Sequence, residues 1–244
     1  MSGGGTPGGA ELAGLAGLGE YFALPVLTGT ASDTQWCSLA DLFTDSVLTD
    51  HVRRTHAAMT TASGCPPQQI PVRVAASSFQ LGVAARLLSP VIGAALCLGA
   101  VPVLDLHSLR WQPSLTHTPR FAVASPDWAD TGAADAIAAT VVPALIDLGA
   151  RLDRLFALST RVTLGNIASA ANGAVTVLGM SRPELLAAGR DLIRALLHTA
   201  ALAGSGSFTG DRFTRRSCCL YYQVPRSGLC GDCVLVTSQP GGAD

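Results

Sequence analysis

Four of the seven cysteines in this chain crowd into sixteen residues near its C-terminus. Cys218 and Cys219 are adjacent, and Cys230-Gly231-Asp232-Cys233 follows after ten residues, giving the spacing C-C-x10-C-x2-C. Deprotonated, these side chains are soft anionic ligands, and four of them delivered by two short segments can enclose a tetrahedral zinc or an iron–sulfur cluster. In a reducing compartment, crowding of this kind is metal ligation more often than disulfide formation. A zinc knuckle separates its two cysteines by about two to four residues so that both sulfurs converge on one ion. Adjacent cysteines have Cα atoms about 3.8 Å apart and side chains that tend to diverge, which suits a wider object with several points of attachment. Spacing therefore favours a binuclear iron–sulfur cluster, with zinc and a redox disulfide left open.

Charge around the motif would act on such a cluster. Arg212, Arg215, Arg216 and Arg226 flank the cysteines against only Asp211 and Asp232, a surplus of two positive charges before the thiolates are counted. An anionic cluster gains a further negative charge on reduction, so nearby cations are expected to raise its potential. Leu220, Tyr221 and Tyr222 are expected to shield one side of it from water. The five histidines show no ligand spacing; His51 and His56 are five apart, one residue beyond a clean pair on a helix face. Cys37, Cys65 and Cys97 are isolated and are expected to be small buried apolar residues.

The elements that must carry this motif are mostly helical. The chain has 244 residues, 48% of them hydrophobic and only 14% charged, which is ample for a real core and too apolar for intrinsic disorder. All sixteen basic residues are arginine and the formal net charge is −1. A nucleic-acid partner is excluded by this balance, and the lack of lysine excludes Schiff-base chemistry and a phosphate-loop lysine. Residues 1–20 are expected to form a flexible Gly-rich tail. That start lacks the basic and apolar runs of an export signal, so a cytoplasmic location is expected. Ser38 and Asp50 are predicted N-caps of two helices ending near Gly64. A helix from Arg73 is predicted to stop at Ser89, with Pro90 opening the next. The apolar window 87–103, broken by Pro90, Gly93, Gly99 and Pro102, reads as a buried core helix rather than a membrane span, although loose association with a membrane surface is compatible with it. Residues 109–112 and 120–124 are predicted to form a β-hairpin, and helices are predicted over 134–158, 160–179 and 182–203, the last opened by a Ser181/Glu184 capping box. Gly204 to Gly210 reads as a hinge. The fold class is mainly α: a helical body over 21–210 with a small β-hairpin, then a cysteine-ligated C-terminal module over 211–244.

The text around the cysteines resembles the FhuF-type family of ferric-siderophore reductases. Arg215-Arg216-Ser217-Cys218-Cys219-Leu220-Tyr221-Tyr222 and Gly228-Leu229-Cys230-Gly231-Asp232-Cys233 are similar to the family's C-terminal signature almost letter by letter. Weaker, collinear likenesses are Tyr21-Phe22-Ala23-Leu24, the stretch from Trp36 to Leu42, Arg86-Leu87-Leu88-Ser89-Pro90, Trp111-Gln112-Pro113 and Gly165-Asn166-Ile167-Ala168-Ser169-Ala170. The resemblance implies a [2Fe–2S] cluster held by Cys218, Cys219, Cys230 and Cys233, and one-electron, outer-sphere reduction of siderophore-bound Fe(III), with no catalytic residue beyond the cluster. It implies an external electron donor, a ferredoxin or a flavoprotein, since no nucleotide-binding glycine motif stands between a strand and a helix. Arg86, Trp111, Asn166 and Ser169 are candidate ligand contacts, and the four arginines of the module are candidates for steering an anionic ferric complex. The rival expectations are a non-catalytic electron carrier or sensor and a zinc-stapled interaction module.

Overall fold

A computed structural model describes residues 7–27, 29, 35–113 and 118–238. In chain order the helices are α1 (Gly9–Gly14), α2 (Leu39–Leu42), α3 (Asp45–Ser63), α4 (Val72–Cys97), α5 (Ala133–Ala139), α6 (Val141–Phe156), α7 (Thr160–Ser181) and α8 (Leu186–His198). The strands are short: β1 (Cys37–Ser38), β2 (Pro102–Val103), β3 (Leu109–Gln112), β4 (Arg120–Val123), β5 (Asp127–Trp128), β6 (Gly206–Thr209) and β7 (Arg212–Arg215). The fold is mainly α, as expected.

α4 is the centre of the molecule. Sixteen of its residues are buried, among them an unbroken run from Leu87 to Ala94, and α3, α6 and α7 pack around it. It is long and apolar enough to cross a membrane, yet two thirds of its most apolar window is covered by the rest of the fold. The predicted break at Ser89 does not occur, and the helix runs through Pro90. An interior proline costs about 3 kcal/mol. Burial of the flanking apolar side chains, at about 1.5–3 kcal/mol each, outweighs it.

The abundance of Ala and Gly becomes intelligible at α7, whose small residues let neighbouring helices approach closely. Opposite it, Gly149 of α6 faces Thr163; a Cβ there would overlap the threonine methyl and stand 2.5 Å from its hydroxyl. Gly149→Ala is therefore expected to cost about 1–3 kcal/mol by overpacking, read as a lower denaturant midpoint with an unchanged slope.

Other local expectations are corrected. The flexible tail expected over 1–20 does not extend through 9–18, where α1 and a further helical turn bury Leu12 and Leu15 in the core; residues 1–6 lie outside the described residues. Two buried leucines outweigh the entropic cost of the surrounding glycines. Ser38 does cap a helix, its hydroxyl accepting from the Asp41 N–H, and Gly64 ends α3 at φ 62°. Asp50 lies inside α3, where it pairs with Arg53 and Arg54. The predicted 134–158 helix is divided at Thr140, which places Pro143 in the first turn of α6, where its missing N–H costs little. Ser181 ends α7 rather than capping α8, and Glu184 pairs with Arg182 instead.

The expected hairpin is present, with Leu109 opposite Val123 and Gln112 opposite Arg120, and β1 adds a third strand; part of its turn, 114–117, lies outside the described residues. A second hairpin, β6–β7, replaces the expected hinge: Phe208 faces Phe213, and Gly210 turns the chain at φ 58°. Arg190 and Arg194 of α8 hold Asp211 in its turn. The cysteine segment thus continues a strand anchored on the helical body.

Candidate metal centre

β7 leads directly into the cysteines. The main-chain N–H of Arg215 donates to the Asp232 carbonyl at 3.1 Å, and that of Arg216 to Ser205 at 2.9 Å. The first bond brings the Cys218-Cys219 turn against the Cys230–Cys233 turn, which is closed by the Cys233 N–H donating to the Cys230 carbonyl at 3.1 Å. The Sγ atoms of Cys219 and Cys230 are 3.8 Å apart. Cys218 and Cys233 stand on the same two turns, and each sulfur accepts a main-chain N–H two residues on, from Leu220 at 3.3 Å and Leu235 at 3.4 Å. Leu220 reaches Cys218 by adopting φ 69°, a left-handed conformation that costs a non-glycine residue about 1–2 kcal/mol. Arg226, in the loop between the two turns, adopts φ 65°.

The electrostatics favour thiolate at one position first. Hydrogen bonding from Cys230 draws the Cys219 thiol down to about 6, with the Arg215 charge helping and burial opposing. Cys230, holding the shared proton, is pushed upward by the same bond and by burial. Burial also raises Cys218. Thiolate is the form that binds metal.

Of the four arginines singled out in the sequence, Arg215 is the one placed against the thiols. It is 1% exposed, and its guanidinium donates to the side-chain carbonyl of Asn166, a neutral group. Arg212, Arg216 and Arg226 are exposed. Tyr221 and Tyr222, expected to act as a shield, are exposed too, while Leu220 packs on the core.

The donor set fits a polynuclear anion. Cys219 and Cys230 form a close pair of thiols, and among the described residues no group of three His, Cys, Asp or Glu side chains is arranged to hold a metal ion. Three buried polar atoms in this segment, Arg215 Nε, Ser217 Oγ and Asp232 Oδ2, have no hydrogen-bond partner. Burying an uncompensated guanidinium costs several kcal/mol. A [2Fe–2S] centre held by the four thiolates would carry about −2 when oxidised and would bring negative charge close to Arg215.

The remaining candidates are dispersed. Trp111 lies in the core, edge-on to His51, and Arg86 binds Glu20 and covers the Tyr21 ring at 4.4 Å. Ser169 lines an open cavity of about 420 Å³ between α4 and α7, with Tyr21, Leu81, Gly82, Ser89 and Val177. Asn166 is fully buried. Cys37 is exposed, and Cys65 and Cys97 are half-buried, correcting the expectation that all three are interior. His56 bonds to the Ile70 carbonyl and His198 to that of Arg194; His117 lies outside the described residues. Sequence reasoning missed Ser77 and the structural part played by Asn166. Ser77 stands in the run Ser77-Ser78-Phe79-Gln80 and Asn166 shares its helix with Thr163, Ser169 and Asn172, so no local signal marked either residue.

Fold and site together define a helical protein with a C-terminal iron–sulfur module. Residues 215–235 match the family model described as the FhuF 2Fe-2S C-terminal domain, which supports a [2Fe–2S] cluster as the cofactor of this segment. No curated protein matches the chain in sequence.

Proposed function

We propose that the chain is a ferric-siderophore reductase in which Cys218, Cys219, Cys230 and Cys233 ligate the cluster. The observation that carries this reading is the matched 215–235 segment, whose four cysteines stand on two turns next to the buried Arg215 guanidinium. When bound, a [2Fe–2S] centre supplies one-electron transfer without proton or group transfer. The chain's own residues set the terms. Arg215 offsets the negative charge that accumulates on reduction, and the Leu220 and Leu235 N–H groups stabilise electron-rich sulfur. The exposed Arg212, Arg216 and Arg226 would attract an anionic ferric chelate. The cavity between α4 and α7 offers it a place close to the module, because Ser78 and Ser169 on its wall lie within one helical turn of Ser77 and Asn166.

In the reaction, one electron from a separate ferredoxin or flavoprotein converts Fe(III) of the chelate to Fe(II), the donor being oxidised by one electron. Ferrous iron is held less tightly by hard anionic oxygen ligands and leaves. The location proposed is the cytoplasm, or the inner face of the membrane.

Protein purified without oxygen, reduced and mixed with a ferric trihydroxamate should show its cluster absorption return to the oxidised form within minutes, while a ferrous chelator captures one iron per electron. Reduced protein that stays reduced in the presence of the chelate would assign an electron carrier or sensor instead.

A further inference from the structure

Behind the cysteines a buried polar chain crosses three elements. Asn166 of α7 donates through Nδ2 to the Ser77 carbonyl at 3.1 Å and to the Ser77 hydroxyl at 3.0 Å. Ser77, on α4, donates its hydroxyl proton to the Cys219 carbonyl at 2.8 Å. The other end of the Asn166 amide, Oδ1, accepts from Arg215. Asn166 and Ser77 are fully buried, and Arg215 and Cys219 nearly so.

The directions of these bonds are fixed. Arg215 has only donors to offer and the Ser77 carbonyl only lone pairs, so the amide can sit one way round; a flipped side chain would set oxygen against oxygen and N–H against guanidinium. Asp cannot replace Asn here, because a carboxylate would turn an acceptor toward the Ser77 carbonyl and would neutralise Arg215. A neutral amide is the group that can orient the guanidinium and leave its charge undiminished for whatever anion lies beside it. In the interior that charge is screened less than it would be in water.

We propose that Asn166 is a positioning residue that raises the reduction potential of the centre by fixing Arg215, and through Ser77 the Cys219 main chain, beside it. The inference rests on the cluster reading, which iron and acid-labile sulfide analysis tests separately.

The experiment is a double-mutant cycle on cluster-loaded full-length protein, read as midpoint potential by spectroelectrochemical titration. Asn166→Leu, which removes the bonds without adding charge, should lower the equilibrium constant for reduction about tenfold, which is about 59 mV for a one-electron couple. Arg215→Gln should lower it at least as much. In the Arg215→Gln background, Asn166→Leu should have a smaller effect, because the charge it positions is gone and only the path through Ser77 to Cys219 remains. A merely structural Asn166 would lower the unfolding temperature and leave the potential alone. Asn166→Leu protein with an intact visible spectrum and a wild-type potential overturns the proposal, as does an equal shift in both backgrounds. If Asn166→Leu takes up no cluster, Ser77→Ala replaces it in the cycle. That variant should lower the potential too, by loosening the Asn166 amide that holds Arg215 as well as by removing the hydroxyl dipole that faces the Cys219 loop, and so by less in the Arg215→Gln background; an unchanged potential, or an equal shift in both backgrounds, also overturns the proposal.

Discussion

Serine at any one of positions 218, 219, 230 or 233 is expected to give protein without the sulfide-to-iron absorption of the wild type and with iron and acid-labile sulfide near zero. Alanine at 37, 65 or 97 should leave all three readings unchanged. The contrast follows from placement. Cys219 and Cys230 are 3.8 Å apart and buried or half-buried, and Cys218 and Cys233, on the same two turns, have main-chain N–H groups already aimed at their sulfurs. Cys37 sits exposed on β1 opposite Trp111, Cys65 contacts Ser63 at the end of α3, and Cys97 closes α4. A serine oxygen is harder and less readily deprotonated than a thiolate, so one replacement should remove most of the affinity. The loss should spread beyond the metal, because Arg215 would then stay buried without a compensating anion, and the unfolding temperature should fall with the colour. A colourless wild-type preparation holding stoichiometric zinc would overturn the assignment.

Periodicity and capping were enough to place α7, the core hairpin and the ends of α2 and α3, because each is decided by residues adjacent in sequence. Ser38 needs only Asp41, three residues on, and Gly64 needs only its own φ. Where distant contacts decide, the same reasoning misplaced boundaries. Pro90 should interrupt a helix on local grounds, yet α4 is enclosed by α3, α6 and α7, and no neighbouring residue carries that information. The site divides likewise. Four cysteines with their spacing are local and legible. That Arg215 faces inward while Arg216 faces water follows from strand alternation once β7 is known to be a strand, and the Gly-Ser text before it reads as a hinge. Asn166 and Ser77 are 89 residues apart and meet only because α4 packs on α7, so their shared role could not be read in advance.

Gly165→Ala is expected to disturb the module from the helix side. At that position an added Cβ would overlap the Ser217 hydroxyl, lie 3.3 Å from the Ser217 Cβ and come within 3.4 Å of Arg215 Nη2. Ser217 is buried and immediately precedes Cys218, so the strain falls on the strand that delivers the first two thiols and on the bond between Arg215 and Asn166. Overpacking of this size costs about 1–3 kcal/mol. For a chain of this length each kcal/mol lowers the unfolding temperature by about 2–4 °C. Cluster absorption followed during heating should therefore disappear several degrees below the wild type. Because the hydroxyl is the atom in overlap, adding Ser217→Ala removes the worst contact and leaves one of 3.3 Å that a shift of a few tenths of an ångström relieves. The double variant should recover most of the lost stability, whereas two independent defects would add. Equal unfolding temperatures for wild type and Gly165→Ala, or a double variant no better than the single, would show that the module does not seat on α7 through this contact.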